Sequence, residues 1–253
     1  APVNIGKPTN KLGMAIAGVF VLIAAGLGLL HIIPLSGYVP GVQALMSKRL
    51  GAPVTIGTMR YALFPSSQLT LERVNIGKSQ EVKVESLAVP IGPVGLLSGK
   101  RDFDTVEGKN VTVEPQALSA IAGWTQGSKD ALELMINKLR LRSIKVATPV
   151  ETPKFDLEVS LGPRGELRTA IFNVEKARIE LTPKDKSWSI KMSASGWKPL
   201  IGPAVEFDEL EASGIITGDN ALLDSIKGRV CGGTFSAKLK ASWDGAMPAS
   251  GDL

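Results

Sequence analysis

Side chains able to do catalytic or metal chemistry are few in this chain and poorly spaced for it. His31 is the one histidine and Cys231 the one cysteine, so neither a histidine-based triad nor a thiol–imidazole pair is on offer. A zinc site needs several such ligands, and a lone imidazole does not supply them. Gly95 to Lys100 has the outline of a phosphate-binding loop. Three residues rather than four separate Gly95 from Gly99, however, and Arg101 stands where a hydroxyl residue would hold magnesium. Glu206, Asp208, Glu209 and Glu211 contain the carboxylates that glycoside hydrolysis would need, but crowded on one segment they read as a charged face or edge. The expectation is a protein with no catalytic residue, no cofactor and no metal.

Charge points away from nucleic acid as well. The net charge of +5 is dispersed, and aromatic residues make up only 5% of the chain, too few for base-stacking platforms. Lys138, Arg140 and Arg142 alternate along one segment and Lys238 and Lys240 along another, as on the solvated face of a strand. The basic residues Lys48, Arg49 and Arg60 differ, because no acid occurs between Ala1 and Leu71. They are the candidates for contact with anionic lipid headgroups, at about 1 kcal/mol per nearby cation.

Their position matters because of what precedes them. Leu12 to Ile33 carries no charge and one weakly polar side chain, His31. At about 1.5 Å per residue this run reaches roughly 33 Å, enough to cross a hydrocarbon core of about 30 Å. Ile32-Ile33-Pro34-Leu35-Ser36 offers no cleavage site for a signal peptidase, so the run reads as a retained single-pass anchor. Lys7 and Lys11 place the N-terminus on the cytoplasmic side and the remaining chain across the membrane. The organisation expected is a cytoplasmic tail over 1–11, a transmembrane anchor over 12–33, a linker with a short amphipathic helix over 34–53, and a β-rich extracytoplasmic domain over 54–253.

The helix is expected over about residues 40 to 50, with Val39, Val42, Leu45, Met46 and Leu50 at helical spacing, lying on the membrane or closing one end of the following sheet. Gly51 and Pro53 end it. Strands are expected at Val54 to Arg60, Gln68 to Ile76, Glu81 to Val89 and Val106 to Val113. Short helical pieces are expected at Val94 to Ser98, Gln116 to Trp124 and Lys129 to Ile136. From Lys138 onward the chain is strand and turn. Phe235, Ala237, Leu239, Ala241 and Trp243 alternate with polar residues, as do Phe155 to Leu161 and Trp188 to Ala194. Such alternation suits an antiparallel sheet with one wet face.

A second pattern sets apolar or small residues at offsets 0, 2, 5 and 7. It appears as Leu69, Leu71, Val74, Ile76; Val106, Gly108, Val111, Val113; Leu139, Leu141, Ile144, Val146; Phe172, Val174, Ala177, Ile179; and Val205, Phe207, Leu210, Ala212. The step from 2 to 5 would turn the second half to the other face unless a β-bulge absorbs one residue. The last four windows start 33 residues apart, at 106, 139, 172 and 205, which suggests a repeat.

The segments Lys48-Arg49-Leu50-Gly51-Ala52-Pro53-Val54-Thr55-Ile56-Gly57, Leu63-Phe64-Pro65-Ser66 and Leu69-Thr70-Leu71-Glu72-Arg73-Val74-Asn75-Ile76-Gly77 resemble the N-terminus of AsmA-family proteins. Gly232-Gly233-Thr234-Phe235-Ser236-Ala237 with Trp243 is similar to that family's recurring glycine-pair strand. The resemblance implies an inner-membrane anchor bearing an elongated, curved antiparallel sheet in the periplasm, a half-barrel or groove whose apolar side shields phospholipid acyl chains. On that reading Leu69, Leu71, Val74, Ile76, Val111, Val113, Leu139, Leu141, Ile144 and Val146 are the groove-lining candidates. Family members that bridge two membranes are much longer, and the pattern leads one to expect a further strand after Leu253. The alternative is a non-catalytic accessory or assembly subunit of an inner-membrane protein complex, held through the transmembrane helix.

Overall fold

The computed structural model describes residues 32–63, 66–92, 94–95, 102–117, 135–148, 152–163, 166–185, 187–199, 205–217 and 220–242. Within them the chain forms one open 13-stranded sheet whose spatial order follows the sequence order. The strands are β1 (Ile32–Pro34), β2 (Val54–Ala62), β3 (Gln68–Ile76), β4 (Val82–Pro90), β5 (Asp102–Val113), β6 (Met135–Val146), β7 (Phe155–Leu161), β8 (Leu167–Val174), β9 (Ala177–Lys184), β10 (Ser187–Trp197), β11 (Phe207–Ile216), β12 (Asn220–Val230) and β13 (Gly233–Ser242). One α-helix, α1 (Val39–Leu50), lies between β1 and β2.

Several expectations are corrected. The sheet is not antiparallel throughout, because β5 and β6 run parallel, with Val106 beside Leu139 and Val113 beside Val146. A parallel pair needs a crossover of a dozen or more residues, and residues 114–134 supply it. Met135 and Ile136, assigned by sequence to a helix over Lys129 to Ile136, open β6 instead; residues 129–134 lie outside the described residues. So do residues 96–98 and 118–124 of the two other short helices and Trp243. Ile32 and Ile33, read as the end of the anchor, belong to β1 and pair with Ala62 and Tyr61. The uncharged run left to cross a bilayer is Leu12 to His31, all of it outside the described residues. Among the described residues no helix is long and apolar enough to cross a membrane.

Helix α1 closes one edge of the sheet, the second of the two roles expected for it. Gln43 Oε1 accepts the Ile56 N–H at 2.8 Å and Ser47 Oγ accepts the Val54 N–H at 2.9 Å, so the part of the β2 edge beyond β1 has its donors satisfied. Val39, Val42, Met46 and Leu50 pack on the apolar cluster of the sheet. Leu45, expected with them, is exposed. Gly51 ends the helix in the left-handed conformation, at φ 67°.

The offset pattern is a line of kinks crossing the sheet. In β3, β5 and β6 the residue at offset 4 has positive φ: Arg73 at 52°, Asn110 at 51° and Ser143 at 55°. One residue is thereby absorbed in each strand, and all four apolar residues of the window share a face. Val54, Ile56, Met59 and Tyr61 on β2 and Val82, Val84, Leu87 and Val89 on β4 have the same spacing. Register sets the kinks side by side, since Val74 pairs with Ile56 and Val84, and Val84 with Val111. A left-handed non-glycine costs about 1–2 kcal/mol, and neighbours hold each one in place. Asn110 Nδ2 donates to Glu85 Oε2 at 2.7 Å. The Arg73 side chain lies over Gly57, where a Cβ would come within 2.6 Å of its Nε.

The fourth window is a hairpin, not a bulged strand. Phe172 and Val174 end β8, residues 175–176 turn, and Ala177 and Ile179 begin β9. In the fifth, Val205 precedes β11 and a register shift separates Phe207 from Glu209. The even spacing of the windows is therefore no structural repeat.

Candidate functional site

Alternation leaves the sheet with one mainly apolar and one mainly polar face, although Ile215 and Leu222, 40% and 48% exposed, lie on the polar face beside Lys240, and the apolar face is the candidate site. It is built differently at its two ends. Across β2 to β6 it forms a closed cluster with α1 and Ala117. Nine of the ten groove candidates belong to this cluster or pack against it: Leu69, Leu71, Val74, Ile76, Val111, Val113, Leu139, Leu141 and Ile144. Val146 is half-buried at the end of β6. Val74 and Val111 are 1% exposed and Leu71 and Ile144 2%, so protein already covers their surfaces. Contact between these four and an acyl chain would require the cluster to open.

From β9 to β13 the same face is thinly covered. Ala177, Ala194 and Leu210 form a small buried centre, with Met192, Trp197, Phe207, Ile226 and Phe235 half-buried around it. Phe207 bridges Trp197 and Phe235, with ring centroids 6.3 and 5.8 Å away. Phe235 lies over Gly228, where a Cβ would come within 2.5 Å of the ring. Beyond this centre Leu239 is 53% exposed and Trp188 38%. In register, Leu239 continues a row through Leu223, Gly214 and Ile190. The sequence marks these residues as alternating strand positions, and alternation alone does not distinguish their exposure from that of the apolar residues on β3, β5 and β6.

The polar face carries its own cleft, of about 1000 Å³, lined by Arg178, Ser193, Ser195, Glu209, Glu211, Lys227 and Arg229 among others. Small hydroxyls on β10 form a trough between longer charged side chains on β9 and β11. The acids suspected of hydrolytic chemistry take part in surface ion pairs, Glu209 with Arg229 at 3.4 Å and Glu206 with Lys198 at 3.4 Å. Among the described residues no group of His, Cys, Asp and Glu is arranged to hold a metal ion.

The proposed headgroup contacts are not brought together as one collar. Lys48 is exposed on α1, and Arg60 lies on the polar face of β2, paired with Glu72. Glu72 also accepts the Thr58 hydroxyl at 2.8 Å. The side chain of Arg49 lies outside the described residues.

Lys138, Arg140 and Arg142 form a polar stripe on β6 answered by acids on β7. Arg140 Nε meets Glu158 at 3.2 Å and Arg142 Nη1 meets Asp156 at 2.8 Å. Asp156 also accepts the N–H of the kinked Ser143 at 2.9 Å. Burial pushes the Asp156 carboxyl up, but the Ser143 N–H and the Arg142 guanidinium outweigh it and hold it below the usual value of 3.8. Hydrogen bonding to Asp156 raises Arg142 above its usual value. A depressed carboxyl stabilises the fold above its unfolded pKa and loses that contribution as pH falls through the folded pKa. Asp156→Asn should therefore destabilise the fold at pH 7, by less than about 1 kcal/mol because solvent screens this partly exposed pair, and the difference from wild type should shrink as pH drops below about 4, as read by urea denaturation at each pH.

Comparison with protein-family models, with the curated proteins and with the solved structures found no match to this chain.

Proposed function

We propose that the chain is an AsmA-like protein anchored in a bacterial inner membrane, with its sheet in the periplasm, where it holds or passes phospholipid in envelope lipid homeostasis. The observation that carries this reading is the apolar face of an open sheet, which from β9 to β13 is thinly covered and leaves Trp188 and Leu239 exposed. Acyl chains lying on it gain about 0.8 kcal/mol per methylene removed from water. The kinks on β3, β5 and β6 would curve the sheet into a trough, which thirteen strands at about 4.8 Å would extend to roughly 60 Å. The run Leu12 to His31, joined to the sheet edge through β1, would keep that trough beside the bilayer. Lys48, Arg49 and Arg60 are its headgroup-facing cations, Arg60 in competition with Glu72. Placing the lipid on β9 to β13 assigns Leu71, Val74, Val111 and Ile144 to structural packing.

The test is a photocrosslinking amino acid placed at Leu239, Met192 or Val111 of the full chain in phospholipid membranes. Mass spectrometry should find phospholipid adducts at Leu239 and Met192 and none at Val111. Absence of adducts at the first two positions would sink the proposal.

A further inference from the structure

Helix α1 has two sides, and the sheet uses one of them. Val39, Val42, Met46 and Leu50 pack inward, while Gln43 and Ser47 accept the N–H groups of Ile56 and Val54. The other side consists of Tyr38 at the N-cap, Gly41, Ala44, Leu45 and Lys48, which recur at steps of three and four or share the same turn and are all exposed. A helix side that faces water is normally charged or polar. This one carries a tyrosine 69% exposed, a leucine 38% exposed and a lysine. No acid occurs in the sequence from Ile32 to Leu71 to balance that lysine. Lys48 alone would suit a solvated helix; Tyr38 and Leu45 beside it do not.

We propose that this outer side of α1 is a membrane seat, lying flat in the headgroup layer with Tyr38 and Leu45 toward the acyl chains and Lys48 on anionic phosphates. The place of α1 in the sheet supports that occupant. β1 lies beside Arg60 to Ala62 and α1 beside Val54 and Ile56, so the two follow one another along a single edge of β2. Ile32, the first residue of β1, directly follows the uncharged run Leu12 to His31. Tyr38 is six residues further on, at most about 22 Å away even if the chain were fully extended. Tyrosine rings collect at the membrane–water interface, and helices with an apolar and basic outer side lie in it. Lysine there gains from anionic lipid. The seat rests on the reading of Leu12 to His31 as an anchor, and it adds what an anchor alone leaves open, the rotation of the sheet about that anchor.

The experiment uses the full chain carrying Cys231→Ser, reconstituted in vesicles of phosphatidylcholine with or without phosphatidylglycerol. One cysteine at a time, Y38C, L45C or the exposed control K240C, is labelled with a fluorophore. Lipid carrying a spin label near its headgroup should quench the fluorophore at Y38C and L45C and spare it at K240C, and phosphatidylglycerol should strengthen the quenching. Adding K48E, a change at an exposed position, should weaken that dependence on phosphatidylglycerol at least about threefold. The proposal is overturned if dissolved iodide reaches Y38C and L45C as freely as K240C, or if K48E keeps the full dependence. It is equally overturned if neither quencher reaches the two labels, as when residues 1–31 or a second copy cover the helix. Release of the chain from the vesicles by alkaline carbonate would instead overturn the anchor, and the seat with it; a failed seat alone leaves the chain embedded with both labels in water.

Discussion

Val111→Asp should prevent β2 to β6 from forming a stable sheet. Val111 is 1% exposed, on β5 within the larger cluster, and pairs with Val84. No buried polar or charged residue occurs in the core of the described residues that could meet the new carboxylate. An unpaired charge in such a site costs at least about 4 kcal/mol, much of a domain's usual reserve of about 5–15 kcal/mol. Urea denaturation followed by circular dichroism, together with limited proteolysis, should show residues 54–146 unfolded or cleaved under conditions where the wild type resists. A variant as stable as wild type would mean that the cluster is not the closed core described above.

The second large effect is the converse, a strong loss of binding with little loss of stability. Leu239 and Trp188 share the apolar face with Val111, but at 53% and 38% exposure water already reaches them. Leu239→Glu combined with Trp188→Glu should therefore leave thermal unfolding within a few degrees of wild type, as surface changes usually do. Copurifying phospholipid should nevertheless fall at least about tenfold, because a carboxylate against acyl chain is costly and every 1.4 kcal/mol is a factor of ten. Unchanged lipid content in the folded variant would remove the apolar face of β9 to β13 as the binding site. The pair of predictions separates packing from binding on one surface, which a hydropathy pattern alone does not do.

Much of this fold was legible. Strict alternation at Phe235 to Ala241 and at Phe155 to Leu161 marked strands and their faces, since side chains alternate with period two. The offset pattern marked kinks, at Arg73, Asn110 and Ser143; across β2 to β6 neighbouring strands kink in step with no register shift, and among these kinks one residue is gained only between β6 and β7. The even spacing of its windows is a distance in sequence and not a structural period. The same signature in Val54 to Tyr61, Val82 to Val89 and Ala221 to Gly228 begins at other intervals. It tracks register between neighbouring strands, and register is a property of pairs. The parallel joint between β5 and β6 was hidden for a related reason. Nothing local in Val106 to Val113 or Leu139 to Val146 states the direction of a neighbour. The groove-lining candidates lie on the apolar face but at its closed end, because exposure depends on what else packs there. The same holds for Arg60, whose pairing with Glu72 removes much of the isolation that the run of acid-free sequence suggested.

The agreement between strand order and sequence order has a consequence for synthesis. A chain delivered from its N-terminus at about 5–20 residues per second meets, at each new strand, a partner already in place. Hairpins from β2 to β5 and again from β6 to β13 close over connections of at most eleven residues, so few contacts wait on distant sequence and loop-closure entropy stays small. The exception is the joint between β5 and β6, where residues 114–134 must all emerge before the next strand finds its edge. Until then Val106, Val111 and Val113 lie on an exposed, β-prone edge, and that interval is where a nascent chain is most open to mispairing or to capture by a chaperone.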